Sequence, residues 1–151
     1  MKHVIKVTAA VVAAVAFASI AASFAFAHGA ATRGTTVKVA KSRLGRILVD
    51  SRGITLYDFV ADKGGRSSCY GECASYWPPL LTKGKPQAGP GVRTALLGTT
   101  KRKDGKLEVT YNHHPLYYFV GDRKPGQLTG QGLNQFGAPW WALSPAGREI
   151  H

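Results

Sequence analysis

Two aspartates occupy the same place in two nearly identical segments, and general acid–base catalysis commonly uses such paired carboxylates. Asp62 ends the sequence Leu-Tyr-Asp-Phe-Val-Ala-Asp, and Asp122 ends the sequence Leu-Tyr-Tyr-Phe-Val-Gly-Asp. A catalytic pair needs surroundings that separate the two pKa values, whereas matching positions of a repeat have similar surroundings. We therefore predict no catalytic residues and no enzymatic activity. Each aspartate is expected to hydrogen-bond the tyrosine of its own segment, Tyr57 or Tyr117.

Cys69 and Cys73 are the two cysteines of the chain, and they could form a disulfide or a redox-active, copper-binding dithiol. Outside the cytoplasm an even pair is expected to be oxidised. Their spacing suits a disulfide, because one helical turn brings two Cα atoms to about 6 Å. A reactive thiolate is usually stabilised at a helix N-terminus of a thioredoxin-like fold, and the chain has no βαβ pattern to supply one. We predict a structural disulfide that fixes a local bend.

Three histidines offer an alternative site, for copper. A mature chain that starts at His28 could chelate copper through its amine and imidazole, and His113 and His114 are adjacent in a predicted turn. No His-x-x-x-His or Cys-x-x-Cys spacing occurs, and oxidised cysteines are lost as ligands. We predict no cofactor. The alternative is an extracytoplasmic copper-binding or thiol-redox accessory protein that uses these histidines and the two cysteines.

Several other chemistries lack their sequence motifs. The chain contains no Gly-x-Ser-x-Gly, no Gly-x-x-x-x-Gly-Lys and no Gly-x-Gly-x-x-Gly. Serine-hydrolase, phosphate-loop and dinucleotide-binding functions therefore have no support. Covalent haem is excluded because Cys-x-x-Cys-His is also missing.

Residues 1–27 have the pattern of a secretory signal peptide. Lys2 and Lys6 give a positive start, an apolar stretch follows, and Ala25-Phe26-Ala27 supplies the small-x-small cleavage pattern. We predict cleavage after Ala27 and export to the periplasm or the extracellular space, with no transmembrane anchor left after cleavage. Retention of the segment as an anchor is the alternative, although the stretch is alanine-rich and has no basic stop-transfer flank.

The chain is strongly basic, with 20 Lys and Arg against 8 Asp and Glu and a formal net charge of +12. In an exported protein this balance favours an anionic partner, such as an envelope polymer or a glycan. The basic residues are scattered; only Lys101-Arg102-Lys103 forms a run, which we interpret as a solvated turn. No basic–aromatic alternation indicates a stacking surface, so we predict no specific nucleic-acid partner. The oligomeric state is left open.

Short strands and turn residues dominate the mature chain. Residues 28–36 are small and polar and are predicted to be a flexible leader. Two similar units follow, at about 37–82 and 92–150, with glycine-containing hairpin turns. The motif strand is apolar on both faces, and a unit of this size buries too little surface to fold alone. We predict an all-β protein with little helix, in which two tandem repeats pack as one pseudo-symmetric domain over residues 37–151.

Aromatic side chains are expected to fill a core in a chain that has a single Met and few long aliphatic residues. Trp77 and Trp141 are predicted to be buried. Trp140 is left open between the core and an exposed surface that stacks on carbohydrate, because an aromatic ring buries a large area in either place.

The motifs together resemble a known family. Gly53-x-x-Leu56-Tyr57-x-Phe59-x-x-Asp62 precedes Ser68-Cys69-x-Gly71-x-Cys73-Ala74-x-x-Trp77-Pro78-Pro79-Leu80. The second half contains Pro115-Leu116-Tyr117-Tyr118-Phe119-x-x-Asp122, with Gly130-Gln131-Gly132 and Trp140-Trp141. These patterns resemble the bacterial "secreted repeat of unknown function" family, predicted lipoproteins with a Tyr-x-aromatic-x-x-Asp motif, over residues 46–150.

The resemblance implies an extracytoplasmic tandem-repeat domain with no established activity. The repeat-motif residues with a structural role are Leu56, Tyr57, Phe59, Asp62, Trp77, Leu116, Tyr117, Phe119, Asp122 and Trp141. Many family members look lipid-anchored, whereas this chain has no cysteine near the predicted cleavage site. Our leading prediction is an exported, non-catalytic β-repeat domain that serves the cell envelope as a binding or structural module with a basic surface.

Overall fold

The computed structural model describes residues 34–151. The predicted signal peptide, its cleavage after Ala27 and the candidate copper ligand His28 lie outside the described residues. Within residues 34–151, no helix is both long enough and apolar enough to cross a membrane.

Residues 34–151 form short strands in three sheets, with one α-helix of five residues and one 3-10 turn at Thr94–Leu96. The elements in chain order are β1 (Thr36–Ser42), β2 (Gly45–Asp50), β3 (Tyr57–Phe59), α1 (Glu72–Tyr76), β4 (Leu81–Thr82), β5 (Gln87–Ala88), β6 (Leu97–Lys101), β7 (Leu107–Tyr111), β8 (His114–Pro115), β9 (Asn134–Gln135) and β10 (Ala138–Ala142). The prediction of an all-β fold with little helix is confirmed.

The end of the predicted flexible leader belongs to the folded part of the chain. Thr35 donates its N–H to Thr82 Oγ1 at 3.1 Å, and β1 begins at Thr36. The predicted boundary at residue 37 is therefore too late, because small polar residues can pair with a neighbouring backbone as readily as they form a loop.

Both repeats begin with the same kind of hairpin. β1 pairs antiparallel with β2 in the first repeat, and β6 pairs antiparallel with β7 in the second. A glycine with positive φ lies where each hairpin reverses: Gly45, the first residue of β2, has a φ of 92°, and Gly105, in the turn before β7, has a φ of 82°. This backbone conformation favours glycine, so the local sequence determines where each hairpin reverses.

The last, closing segment of each repeat forms hydrogen bonds with strands of the other repeat. At the end of the first repeat, the carbonyl of Leu80 accepts from Val109 N–H at 2.8 Å, and β4 pairs with β7. At the end of the second repeat, the carbonyl of Leu143 accepts from Leu48 N–H at 3.0 Å, and β10 pairs with β3. Because two of the three sheets contain strands of both repeats, neither repeat completes its own hydrogen bonding.

The two motif segments meet at the centre of the molecule. Tyr57 and Tyr117 exchange two backbone hydrogen bonds, each 2.9 Å long, in an antiparallel bridge. Both tyrosines are fully buried. Because they occupy the same place in the two repeats, the approximate two-fold axis passes between them.

The tyrosine hydroxyls reach the aspartates of the opposite repeat. Tyr57 Oη donates to Asp122 Oδ2 at 2.6 Å, and Tyr117 Oη donates to Asp62 Oδ2 at 2.7 Å. The predicted hydrogen bonds within each segment are therefore wrong. The physical reason is the central antiparallel pairing, which places each tyrosine ring beside the turn that ends the other segment.

The second oxygen of each aspartate fixes the turn that follows it. Asp62 Oδ1 accepts from the N–H and the hydroxyl of Ser68 at 2.7 and 2.6 Å. Asp122 Oδ1 accepts from the same two groups of Thr129 at 2.9 and 2.5 Å. Each aspartate thus joins a turn of its own repeat to the tyrosine of the other, which explains the pairing of Tyr with Asp in the motif.

Two stacked indoles occupy the middle of the aromatic core. The rings of Trp77 and Trp140 are 3.9 Å apart and 5° from parallel. Trp77 meets Tyr57 edge-on, and Trp140 meets Tyr117 in the same way, so Trp140 is the symmetry counterpart of Trp77. The predicted burial of Trp141 is wrong: it is only half-buried, because successive residues of β10 face opposite sides.

Two apolar clusters cover the two faces of the motif strands. One is rich in aromatic residues and holds both central tyrosines and both stacked indoles. The other is mainly aliphatic and holds three symmetry-related pairs: Leu48 and Val109, Leu56 and Leu116, Leu80 and Leu143. Burial of both strand faces is what the apolar pattern of the motif predicts, and each buried Leu or Val contributes about 1.5–3 kcal/mol.

The crossed hydrogen bonds can be tested with a double-mutant cycle. Tyr57→Phe and Asp122→Ala should show a coupling energy of about 2 kcal/mol in the free energy of unfolding, because they share a buried hydrogen bond to a carboxylate. Urea unfolding followed by tryptophan fluorescence measures this energy. The matched cycle of Tyr57→Phe with Asp62→Ala should be additive within about 0.5 kcal/mol. Coupling in the second cycle and none in the first would contradict the crossed arrangement.

Candidate functional site

The second repeat contains a buried ion pair that has no counterpart in the first. Arg102, which follows β6, donates from Nη1 to Glu108 Oε2 in β7 at 2.6 Å. The side chains of Arg102 and Glu108 are 2% and 0% exposed. The equivalent positions of the β1–β2 hairpin are Ser42 and Ile47. Because the same hairpin forms without the two charges, the fold alone does not explain them.

Other hydrogen bonds hold the guanidinium group in place. Arg102 Nη1 also donates to Ser67 Oγ at 2.6 Å, and Nη2 donates to the carbonyl of Cys69 at 2.7 Å. The Ser67 hydroxyl lies 2.6 Å from Tyr117 Oη and donates to it, since Tyr117 donates its own proton to Asp62. A continuous line of hydrogen bonds therefore runs from the guanidinium group to the buried core.

The disulfide fixes one of these partners. Cys69 and Cys73 are bonded, with their Cα atoms 5.3 Å apart, which confirms the predicted disulfide. Because this disulfide contains both cysteines of the chain, neither is available as a thiolate ligand for a metal. The bend that the disulfide closes carries the carbonyl of Cys69 that accepts from Arg102.

Two of the three buried polar residues, Ser67 and Glu108, have apolar counterparts at the symmetry-related places. Ser68 and Thr129 both bind the aspartate of their own repeat, so the preceding residues Ser67 and Leu128 are equivalent. Leu128 lies in the aromatic-rich cluster together with Ile47, the counterpart of Glu108. A symmetrical core would be apolar on both sides, and the polar group is therefore the strongest candidate for a functional feature.

The ion pair lies beneath a basic cleft of about 450 Å³. The cleft is lined by Arg66, Ser67, Tyr70, Thr100, Lys101, Arg102 and Lys103. The guanidinium carbon of Arg102 is 4.3 Å from the centre of the Tyr70 ring, and Lys103 Nζ is 5.4 Å from it. Both distances suit cation–π contacts. Arg66, Lys101 and Lys103 are exposed, so their charges are accessible to a ligand.

One donor of the buried arginine has no hydrogen-bond partner among residues 34–151. Arg102 Nε is buried and unbonded, and Asp104 Oδ1, at 4.0 Å, lies beyond hydrogen-bonding distance. A buried donor without a partner costs about 1–3 kcal/mol.

Burial controls the protonation of the acidic groups near the ion pair. It raises the pKa of Glu108 to about 7, although the hydrogen bond and charge of Arg102 act in the opposite direction. Burial also raises the pKa of Asp62. The pKa of Tyr117 rises far above its usual range, first through burial and then through the charges of Glu108 and Asp62. Tyr117 therefore remains a hydrogen-bond donor at every physiological pH.

The fold buries or half-buries six of its eight acidic residues and exposes most of its basic ones. Of the 8 acidic residues of the chain, only Glu72 and Asp104 are exposed. Among the Lys and Arg of residues 34–151, all except Lys38 and Arg102 are exposed. The positive surface charge is therefore more pronounced than the composition alone indicates.

The two predicted copper ligands within residues 34–151, His113 and His114, do not form a shared site. His28 lies outside the described residues, and His113 is exposed in the turn between β7 and β8. His114 faces Asp58, with its Nδ1 3.1 Å from Asp58 Oδ2. The adjacent histidines thus lie in different surroundings, because His113 adopts a positive φ of 66° in the turn and His114 begins β8.

The cleft lies outside the repeat motif and was not predicted as a site. The interpretation of Lys101-Arg102-Lys103 as a solvated turn is wrong for its middle residue, since Arg102 is buried. The signal that could have found it is a position-by-position comparison of the two hairpins. In that comparison Glu108 interrupts an apolar strand where the first repeat has Ile47.

The interlocked hairpins and the crossed Tyr–Asp bonds define a tandem β-repeat protein. The model of the family described as "secreted repeat of unknown function" matches residues 38–81 and 98–144, one match in each structural repeat. The chain belongs to this family, as its motifs predict, and the family description identifies it as an exported protein. No curated protein and no solved structure gives a significant match to the chain.

The raised pKa of Glu108 should appear in the pH dependence of stability. Because the pKa is about 7 in the folded protein and 4.5 in the unfolded chain, the folded state holds the proton more tightly. Relative to Glu108→Gln, the wild-type free energy of unfolding should fall by up to about 3 kcal/mol as the pH rises between these two values. Urea titrations of both proteins at a series of pH values measure the difference. A difference that does not change with pH would contradict the assignment.

Proposed function

We propose that the protein is an exported, non-catalytic binding module that holds an anionic polymer of the cell envelope in the Arg102 cleft. The mature protein would act in the periplasm or outside the cell after removal of residues 1–27. The observation that carries the proposal is a cleft in which the exposed basic side chains of Arg66, Lys101 and Lys103 surround a buried ion pair that the other repeat lacks.

The chemistry of the cleft suits phosphate or carboxylate groups attached to sugars. The exposed guanidinium group of Arg66 can bind such anions through directed, charge-assisted hydrogen bonds, and Lys101 and Lys103 add positive charge at the opening. The Tyr70 ring offers a flat apolar surface on which a sugar ring can stack. An acidic glycopolymer would use both features, and the basic surface elsewhere would attract it over a longer range.

The acidic groups near the core are already hydrogen-bonded or buried, which supports a binding function rather than catalysis. Asp62 and Asp122 each use both carboxylate oxygens to accept hydrogen bonds from a tyrosine and from a turn. Glu108 is buried beneath Arg102. None of these three carboxylates is free to serve as a general acid or base for a ligand in the cleft.

Charge removal at the cleft tests the proposal. Lys101→Gln with Lys103→Gln should weaken binding to immobilised lipoteichoic acid by about 10-fold, and the loss should shrink at high salt. The matched control is Lys41→Gln with Arg43→Gln, which removes the same charge at the tip of the equivalent β1–β2 hairpin. It should weaken binding less than about 2-fold. Biolayer interferometry at two salt concentrations measures both. Equal losses would indicate general surface adhesion and contradict binding at the cleft.

A second variant separates binding from folding. Ser67→Leu, Arg102→Met and Glu108→Ile together replace the three polar side chains by apolar ones, as Leu128 and Ile47 already stand at the positions equivalent to Ser67 and Glu108. Apolar residues often replace a buried ion pair without loss of stability, so Tm should rise or stay within about 5 °C of the wild-type value. Polymer binding should fall at least about 10-fold. Circular dichroism and the same binding assay measure these effects, and a folded variant with full binding would contradict the role of Arg102.

A further inference from the structure

A second buried charge also lacks a counterpart in the other repeat. Asp58, in the middle of β3, is 1% exposed, and its Oδ1 has no hydrogen-bond partner among residues 34–151. The equivalent residue of the second repeat is Tyr118, whose hydroxyl donates to Asp50 Oδ2 at 3.1 Å. The fold thus accepts an uncharged residue at this position. A buried carboxylate oxygen without a donor is costly, so its presence calls for an explanation.

Two further residues with metal-binding side chains lie beside Asp58. His114 Nδ1 is 3.1 Å from Asp58 Oδ2. One ligand atom from each of Asp58, His114 and Glu149 lies within 4.8 Å of the others. His151 lies next to them, with its Nε2 3.3 Å from Glu149 Oε2. Within 4.8 Å the carboxylates of Asp58 and Glu149 repel each other, and burial, and then the charge of Asp58, raise the pKa of Glu149.

Backbone pairing fixes all three residues of this cluster. Asp58 pairs with Trp141 across β3 and β10, and β8, which begins at His114, pairs with β7. Glu149 lies opposite Leu143 in an antiparallel bridge. The side chains therefore converge from three separate parts of the chain on ordered backbone, as a preorganised ligand set requires.

The cluster is again absent from the symmetry-related place. His114 corresponds to Ile54, because each lies two residues before the motif leucine, and Asp58 corresponds to Tyr118. Neither Ile54 nor Tyr118 is a common metal ligand. The symmetry-related part of the fold forms without acidic or imidazole side chains at these positions. The convergence of such side chains around Asp58 is therefore not required for folding.

We propose that Asp58, His114 and Glu149 form a binding site for a divalent transition-metal ion. Carboxylate oxygen and imidazole nitrogen are ligands that Zn²⁺ takes, and three protein ligands leave a coordination position for water or for His151. A cation at this place would supply Asp58 Oδ1 with a partner and would offset the repulsion between Asp58 and Glu149. The site shares only His114 with the copper ligands predicted from the sequence, and it contains no thiolate.

Isothermal titration of the whole mature protein, without an affinity tag, with zinc chloride tests the proposal. We expect one bound ion per chain, and Glu149→Gln and His114→Gln should each weaken zinc affinity at least about 10-fold. Excess magnesium chloride should not displace zinc, because Mg²⁺ prefers an all-oxygen octahedral shell. Circular dichroism checks that each variant is folded. If the His114 variant unfolds, the zinc affinity of Glu149→Gln tests the proposal instead. This variant should remain folded because Glu149 is only partly buried.

Matched variants separate this site from other zinc ligands of the chain. Glu72→Gln and His113→Gln remove the same chemical groups at exposed positions, and both should leave zinc affinity unchanged. Loss of binding in His28→Gln or His113→Gln, with full binding in His114→Gln, would assign the metal to the predicted copper ligands and overturn the proposal. A folded wild-type protein that binds no zinc would also overturn it.

Discussion

Two backbone hydrogen bonds join Tyr57 to Tyr117 across the approximate two-fold axis, and much of the remaining structure depends on them. Because the two strands are antiparallel there, each tyrosine hydroxyl lies beside the aspartate of the other repeat. The closing segment of each repeat is then placed against the motif strand of the other, and Trp77 stacks on Trp140. Separate repeats would leave strand edges unpaired and large aromatic surfaces in water, which is unfavourable for units of this size.

The internal symmetry also separates structural residues from candidate functional ones. Where both halves have the same residue type, as with the motif tyrosines and aspartates, the geometry accounts for the residue by hydrogen bonding and packing. Where the two halves have different residue types, the half with the apolar or neutral residue shows that the same local structure forms without a charged side chain. The ion pair of Arg102 and Glu108 and the cluster around Asp58 are both differences of this kind. Both leave a buried polar atom without a partner among residues 34–151.

The sequence predicts the repeats, the all-β class and the disulfide, because each depends on local patterns. Two apolar faces on one strand, glycine turns and a Cys-x-x-x-Cys spacing carry that information within a few residues. The partners of Tyr57 and Tyr117 depend instead on which repeat completes which sheet, and no local pattern contains this choice. The burial of Trp140 in place of Trp141 has the same origin, since the register of β10 against β3 decides which indole faces inward. Arg102 is hidden by the disulfide-closed bend and by Tyr70, which are contacts between repeats.

Fragment complementation tests most directly whether the two repeats form one interlocked unit. Residues 34–90 and 91–151 are expressed separately and examined by circular dichroism and two-dimensional NMR, first alone and then mixed. The crossed Tyr–Asp bonds and exchanged closing segments predict that each fragment alone is unfolded, and that equimolar mixing restores a folded one-to-one complex. A fragment that folds by itself, with its tyrosine and tryptophan signals dispersed as in the whole protein, would contradict the account.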